Sequence, residues 1–264
     1  SQPAILVVDV AGDLTSFTDP NGNTTTAAYN DLGGNNRHEL CWSASPGTSL
    51  TSTPSCPATS TGVPGFSSFV YDSVGNLVAS VDQAGSITRN SYSSTTGLRC
   101  WTTPPSVSTA STSCSSVPTG ATRYTYSNRG DLKSTTVGYG TTAPSVSTST
   151  YNDDGQVTCT LPPNGQAGAA CGAGSNPYAT TYSYFTNGSI QTITPPSPAG
   201  ASSYTYDGAG NVLTIKQVTT PARITTNKYD ANGRLCWTFT ASTTSSNACS
   251  SPPAGASLVE NSYL

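Results

Sequence analysis

Eight cysteines and a single histidine are the side chains of this 264-residue chain with the widest range of chemistry, and their spacing narrows that range. The cysteines fall as Cys41/Cys56, Cys100/Cys114, Cys159/Cys171 and Cys236/Cys249, separated by 15, 14, 12 and 13 residues. Structural zinc requires thiolates two to four residues apart, or several imidazoles. No Cys-x-x-Cys occurs and His38 is the only histidine, so no metal or other cofactor is expected. Four local disulfides are the expected use of the cysteines, with free thiols as the remaining reading. His38 is also the only base open to a Ser-His-Asp or Cys-His nucleophile, and no nucleophile context surrounds it. It reads as a turn or strand-edge residue. Asp153 and Asp154 are adjacent, whereas a general acid and base flank a substrate. Asp19-Pro20-Asn21-Gly22-Asn23 offers oxygen ligands but lacks the terminal Glu of a calcium loop, and turn chemistry accounts for it. No catalytic residue is therefore assigned, and the chain is expected not to be an enzyme.

These residues sit in a repeat of about twenty residues. Tyr71-Asp72-Ser73-Val74-Gly75-Asn76-Leu77 continues to Asp82-Gln83-Ala84-Gly85 and closes at Tyr92. Tyr206-Asp207-Gly208-Ala209-Gly210-Asn211-Val212-Leu213 closes at Tyr229, and Asp9 to Tyr29 follows the same grammar. Successive starts lie 21, 22 and 23 residues apart for Tyr71/Tyr92, Tyr184/Tyr206 and Tyr206/Tyr229. Between turns, Leu77, Ala79 and Val81 alternate with Val78 and Ser80, a period of two that specifies strand rather than helix. Asp followed three residues later by Gly predicts a tight turn, because the Asx side chain bonds its own backbone and Gly accepts positive φ. Each unit is thus predicted to be two short strands separated by two turns, with no helix anywhere.

The cysteines fit this frame. Each first cysteine has a recurring context, Leu40-Cys41-Trp42, Arg99-Cys100-Trp101, Thr158-Cys159-Thr160 and Leu235-Cys236-Trp237. Aligned with a plain unit, the first cysteine falls near the end of one strand and the second where the next strand begins. A cross-strand disulfide at the base of a Pro-rich loop is the expected arrangement. Persistent disulfides imply an oxidising compartment, hence secretion.

The motif Tyr-Asp-x-x-Gly-Asn-Leu, followed by Thr-Asp-Pro-x-Gly-x-Thr-Thr as in Thr18 to Thr25, resembles the YD repeat of the RHS family. Weaker copies begin at Tyr126, Tyr151 and Tyr184, so the resemblance covers nearly all of the chain. It implies an all-β array of antiparallel hairpins, the wall of an encapsulating shell or an extracellular fibre, in secreted bacterial toxins and animal adhesion proteins. No candidate is seen for the block that ends such a shell, and the cysteines are unusual for the bacterial members. Residues 1–264 are read as one such array, of bacterial origin. Methionine is absent and Glu260 to Leu264 reads like the start of another unit, so the chain is expected to be a segment of a longer one.

Composition excludes other classes. Only 9% of residues are charged and the ten basic side chains are scattered singly, which disfavours a nucleic-acid partner. No apolar run approaches the roughly 20 residues of a membrane span. The expected partners are further repeats of the same chain or identical copies, with an enclosed cargo or a surface glycan as candidates. The rival reading is an adhesin whose 14 Tyr and 3 Trp, among them Trp42, Trp101 and Trp237, stack on carbohydrate. Because these aromatics recur with the repeat, packing between hairpins is the favoured role. Asn23-Thr24-Thr25 and Asn187-Gly188-Ser189 match the glycosylation pattern.

Overall fold

In the computed structural model, the described residues are 3–30, 38–50, 54, 56, 63–109, 111–163, 171 and 176–259. Glu260 to Leu264 lie outside them. All regular structure among these residues is antiparallel strand, as the period-two pattern requires. The chain forms two compact units, residues 1–145 and 146–264.

The first unit is a meander in which each strand pairs antiparallel with the next. Its strands are β1 (Ile5–Val8), β2 (Leu14–Thr18), β3 (Thr24–Asn30), β4 (Glu39–Ala44) and β5 (Phe66–Tyr71). They continue as β6 (Leu77–Val81), β7 (Ile87–Tyr92), β8 (Arg99–Thr102), β9 (Thr122–Tyr126) and β10 (Leu132–Val137). The second unit repeats the plan with β11 (Ser145–Tyr151), β12 (Val157–Leu161), β13 (Thr180–Tyr184), β14 (Ile190–Thr194) and β15 (Ser202–Tyr206). It ends with β16 (Val212–Gln217), β17 (Arg223–Tyr229), β18 (Leu235–Ala241) and β19 (Ser257–Leu258).

One turn recurs through both units. In Asp72–Asn76 the Gly75 N–H donates to the Asp72 carbonyl at 3.1 Å, and the Asp72 N–H to the Asn76 carbonyl at 2.9 Å. The Asp72 carboxylate fills the turn: Oδ1 accepts from the N–H groups of Val74 and Asn76, and Oδ2 from Asn76 Nδ2. Gly75 has φ +90°, a left-handed conformation that a Cβ would strain. The Asp207/Asn211 and Asp19/Asn23 turns are built identically. Arg234 takes the place of Asn opposite Asp230, and Ser127/Asp131 exchanges the acceptor and donor ends.

A β-bulge follows each Tyr-type turn. Tyr71 faces Leu77 while Val70 faces Ala79, leaving Val78 as the extra residue. The same shift leaves Lys133, Gln191 and Leu213 extra in the plain hairpins. A bulge interrupts the alternation of faces and re-aims the side chain beside it. Hairpins on the opposite edge, such as β2–β3 and β6–β7, run without one.

The turn carboxylates make stability depend on pH. Asp19, Asp72, Asp207 and Asp230 all titrate below the ordinary 3.8 of an aspartate. At Asp19 and Asp207 the chief cause is the side-chain bond from the Asn four residues on, and at Asp230 it is the Arg234 backbone N–H. At Asp72 burial is the largest influence and works the other way, but the donors of Asn76, Val74 and Gly75 together outweigh it. A carboxylate held below its unfolded value stabilises the fold above that value and loses the effect as pH falls through the lower folded value. Melting temperature is therefore expected to hold from neutral pH down to the ordinary 3.8 and to drop below it. Asp72→Ala is expected to cost about 1 kcal/mol at neutral pH, and to narrow that acid-dependent drop; a titration curve identical to wild type would contradict it.

Candidate functional site

The most distinctive side chains of the sequence gather where the disulfide loops meet the sheet. The structure pairs Cys41–Cys56, Cys100–Cys114, Cys159–Cys171 and Cys236–Cys249, with Cα separations of 5.8, 5.4, 5.8 and 5.4 Å. Every first cysteine lies in a strand, respectively β4, β8, β12 and β18. The second cysteines do not begin the next strand, as the repeat alignment had suggested: Cys56, Cys114, Cys171 and Cys249 all lie in the connecting loops. Each link therefore runs from strand to loop. The reason in three of them is the loop itself, which folds back to cover an indole before it enters the next strand.

That indole is placed by the bulge. Ala28 faces Trp42 and Tyr29 faces Leu40, so Cys41 is the extra residue of its hairpin. Cys100 and Cys236 occupy the same position. The disturbed alternation lets a cysteine and the tryptophan after it address one loop: Cys41 bonds Cys56, and Trp42 Nε1 donates to the Pro54 carbonyl at 3.0 Å. Trp101 donates to Ser113 and Trp237 to Ala248 in the same way. The three indoles are 4%, 0% and 0% exposed. Around Trp42 the loop adds Leu50, Cys56 and Val63 to a cluster of Cys41, Ala44 and Phe66, with Phe66 stacked 5.7 Å from the indole.

The fourth loop departs from this plan. Tyr151 faces Val157 and Thr150 faces Cys159, so Thr158 is the bulged residue and Cys159 stands where the others carry tryptophan. Cys159 is fully buried with Leu161, Ala179 and Cys171. The missing tryptophan of this unit is thus a one-residue change of register, which aligning cysteine on cysteine conceals. Each loop of 12 to 15 residues contributes roughly 3 kcal/mol on the chain-entropy account.

The repeat tyrosines form a ladder. Tyr184, Tyr206 and Tyr229 donate their hydroxyls to the carbonyls of Val157, Ile190 and Val212, and Tyr126 donates to Arg99. Each acceptor is the residue that faces the preceding motif tyrosine across its own hairpin. The asparagine two residues before the tyrosine does the same in two units, Asn90 to Leu77 and Asn227 to Val212. Burial raises the Tyr184 and Tyr206 hydroxyls above the ordinary 10.0. Tyr126 is raised by burial against the opposing charge of Arg99, and Tyr71 by burial and Glu39. At these four unit starts tyrosine is therefore a rung between neighbouring hairpins, with an acceptor that the spacing does not reveal.

The remaining candidates serve local structure. His38 Nδ1 lies 2.6 Å from Asp13 Oδ2 and ties the residue before β4 to the β1–β2 turn. Asp153 and Asp154 lie inside a repeat turn, with the Asp154 N–H donating to Asn152 Oδ1. Both oxygens of Asp19 accept hydrogen bonds from Asn21 and Asn23, donors that a calcium ion would have to displace. Among the described residues, no three His, Cys, Asp or Glu side chains converge as a metal site. Asn23 Nδ2 is engaged by Asp19, while Asn187 Oδ1 accepts from the Ser189 N–H.

Burial of the indoles removes the stacking surface that a tryptophan-based carbohydrate site would need. Iodide is expected to quench little of the native tryptophan fluorescence, and much more after reduction and unfolding; native quenching like that of a free indole would contradict the burial. Tyr206→Phe, which removes only the hydroxyl bonded to Ile190, is expected to lower unfolding free energy by about 1 kcal/mol, measured by denaturant titration.

No protein-family model matches this chain, and no curated protein does. Among solved structures it is similar to the crystal structure of TcdB2-TccC3-TEV, at 13% identity and a TM-score of 0.46, over 90% of this chain and 15% of that chain. It is similar to TcdB2-TccC3 at 16% identity and a TM-score of 0.37, over 90% of this chain and 14% of that one. For the Photorhabdus luminescens Tc holotoxin pore the identity is 14% and the TM-score 0.34, over 90% and 15%. The chain thus spans about 15% of the length of the chains it matches.

Proposed function

We propose that this chain is a non-enzymatic YD-repeat scaffold, secreted and forming part of the wall of an encapsulating shell or of an extracellular fibre. The observation that carries the proposal is the use to which the distinctive side chains are put. Asp closes turns, Tyr hydroxyls bond the preceding hairpin, indoles sit beneath loops, and the cysteines fasten those loops. A side chain so engaged contributes to rigidity and is withdrawn from ligand recognition.

The surface suits lateral assembly. A formal charge of −3 over 264 residues leaves little self-repulsion between neighbouring copies. Hydroxyl pairs cross the strands, as in Thr125/Ser134, Thr150/Thr158 and Thr205/Thr214. At β1, Ile5, Leu6, Val7 and Val8 are all exposed, and further repeats of the same chain or an identical copy would cover them. Four disulfides fit an oxidising environment, which supports a secreted protein. An enclosed cargo belongs to the shell form of the proposal.

Negative-stain imaging of the intact protein tests it. Continuous walls or filaments are expected, together with no saturable binding across a glycan panel. A dispersed protein that binds one glycan saturably, and loses that binding on replacement of one exposed tyrosine, would overturn the proposal in favour of an adhesin.

A further inference from the structure

Three of the four disulfide loops share a contact that the repeat itself does not require. The indole N–H of Trp42, Trp101 and Trp237 meets the carbonyl of Pro54, Ser113 and Ala248, at 3.0, 2.9 and 3.1 Å. These acceptors stand two, one and one residue ahead of Cys56, Cys114 and Cys249, and each donor directly follows the partner cysteine in sequence. A loop docked on its indole therefore sets the second cysteine beside the first. In the second loop the Ser91 hydroxyl adds a bond to the Thr112 carbonyl, on the strand facing Trp101.

We infer that Trp42, Trp101 and Trp237 are positioning residues for oxidative folding: the loop docks on the buried indole, and the docked loop presents its thiol to the neighbouring bulged cysteine. The need for such a device follows from the repeat. Eight cysteines permit 105 pairings, and although short separations favour the local partner, they do not bring its thiol into position against a first cysteine whose context is near-identical in three units. The covalent step is thiol–disulfide exchange with a small disulfide oxidant such as oxidised glutathione. One cysteine thiolate attacks the oxidant, forms a mixed disulfide and expels one glutathione thiolate. The second cysteine, deprotonated, attacks the protein sulfur of that mixed disulfide and expels the other glutathione. Two electrons and two protons leave the cysteine pair, and one glutathione disulfide becomes two thiols. Cys159–Cys171, in which Cys159 itself holds the tryptophan position, closes without an indole and serves as the control within the same molecule.

The test is refolding of the fully reduced chain in a glutathione buffer, with timed alkylation and non-reducing peptide mapping. Trp101→Phe keeps the apolar ring and removes the N–H donor. Early formation of Cys100–Cys114 is expected to fall roughly threefold to tenfold, with Cys100 and Cys114 appearing in pairs with other cysteines, while Cys159–Cys171 forms as in wild type. Unchanged closure of Cys100–Cys114 overturns the inference, as does equal slowing of Cys159–Cys171. Should the variant not fold, Cys100→Ser with Cys114→Ser is made in the otherwise wild-type chain. Iodide quenching no greater than that of the wild type is then expected, because the loop docks on Trp101 without its covalent link; a newly quenchable indole overturns the inference.

Discussion

The β-bulge beside the tyrosine of each Tyr-type hairpin sets the geometry on which the disulfide loops depend. In the Asx turns the Asp carboxylate bonds donors two and four residues on, and Gly supplies the left-handed conformation between them, so each such turn reverses the chain in a fixed number of residues. The extra residue after the turn then changes which side chains share a face. In plain hairpins that residue is Val78, Lys133 or Leu213, and nothing further comes of it. In three hairpins it is a cysteine, behind the Asp230–Arg234 turn for Cys236 and a longer Ser93–Leu98 turn for Cys100, and the bulge becomes the anchor of a covalent loop over a buried tryptophan.

Stability in such an array arises mainly between neighbours in sequence. Strands pair with the strand before and after, tyrosine hydroxyls reach one hairpin back, and the disulfides span no more than 15 residues. Among the described residues few side chains are fully buried, and several of them lie where a loop folds back onto the sheet, as with Trp42, Phe66, Trp101 and Trp237. Energetics of this type approach a sum of unit stabilities and nearest-neighbour terms. Each disulfide loop then acts as a local core for hairpins that have little other apolar cover.

Much of this was legible in the residues themselves. Asp-x-x-Gly at a regular interval marks the turns, and period-two alternation between them leaves no room for a helix. Local pairing of the cysteines follows from their short, repeated separations. What was hidden concerns register and acceptors. Whether Cys159 corresponds to Cys41 or to Trp42 depends on a single bulge residue, which hydrogen bonding selects and side-chain pattern does not record. A backbone carbonyl has no sequence signature, so the partners of the tyrosine hydroxyls and indole N–H groups, 11 to 27 residues away, emerge only from the fold. For the same reason the repeat alignment places the second cysteines where the next strand begins: a loop that turns back over an indole looks in sequence like any Pro-rich connection.

The central claim is that the distinctive residues hold neighbouring hairpins together and that no singular site governs the chain. Native-state hydrogen exchange of the intact protein, resolved by peptide, addresses this most directly when wild type is compared with Tyr206→Phe. The account predicts protection that recurs with the repeat, and in the variant a loss confined to the hairpins flanking β14 and β15. Protection concentrated in one region of the chain, or lost from every strand at once in the variant, would contradict it.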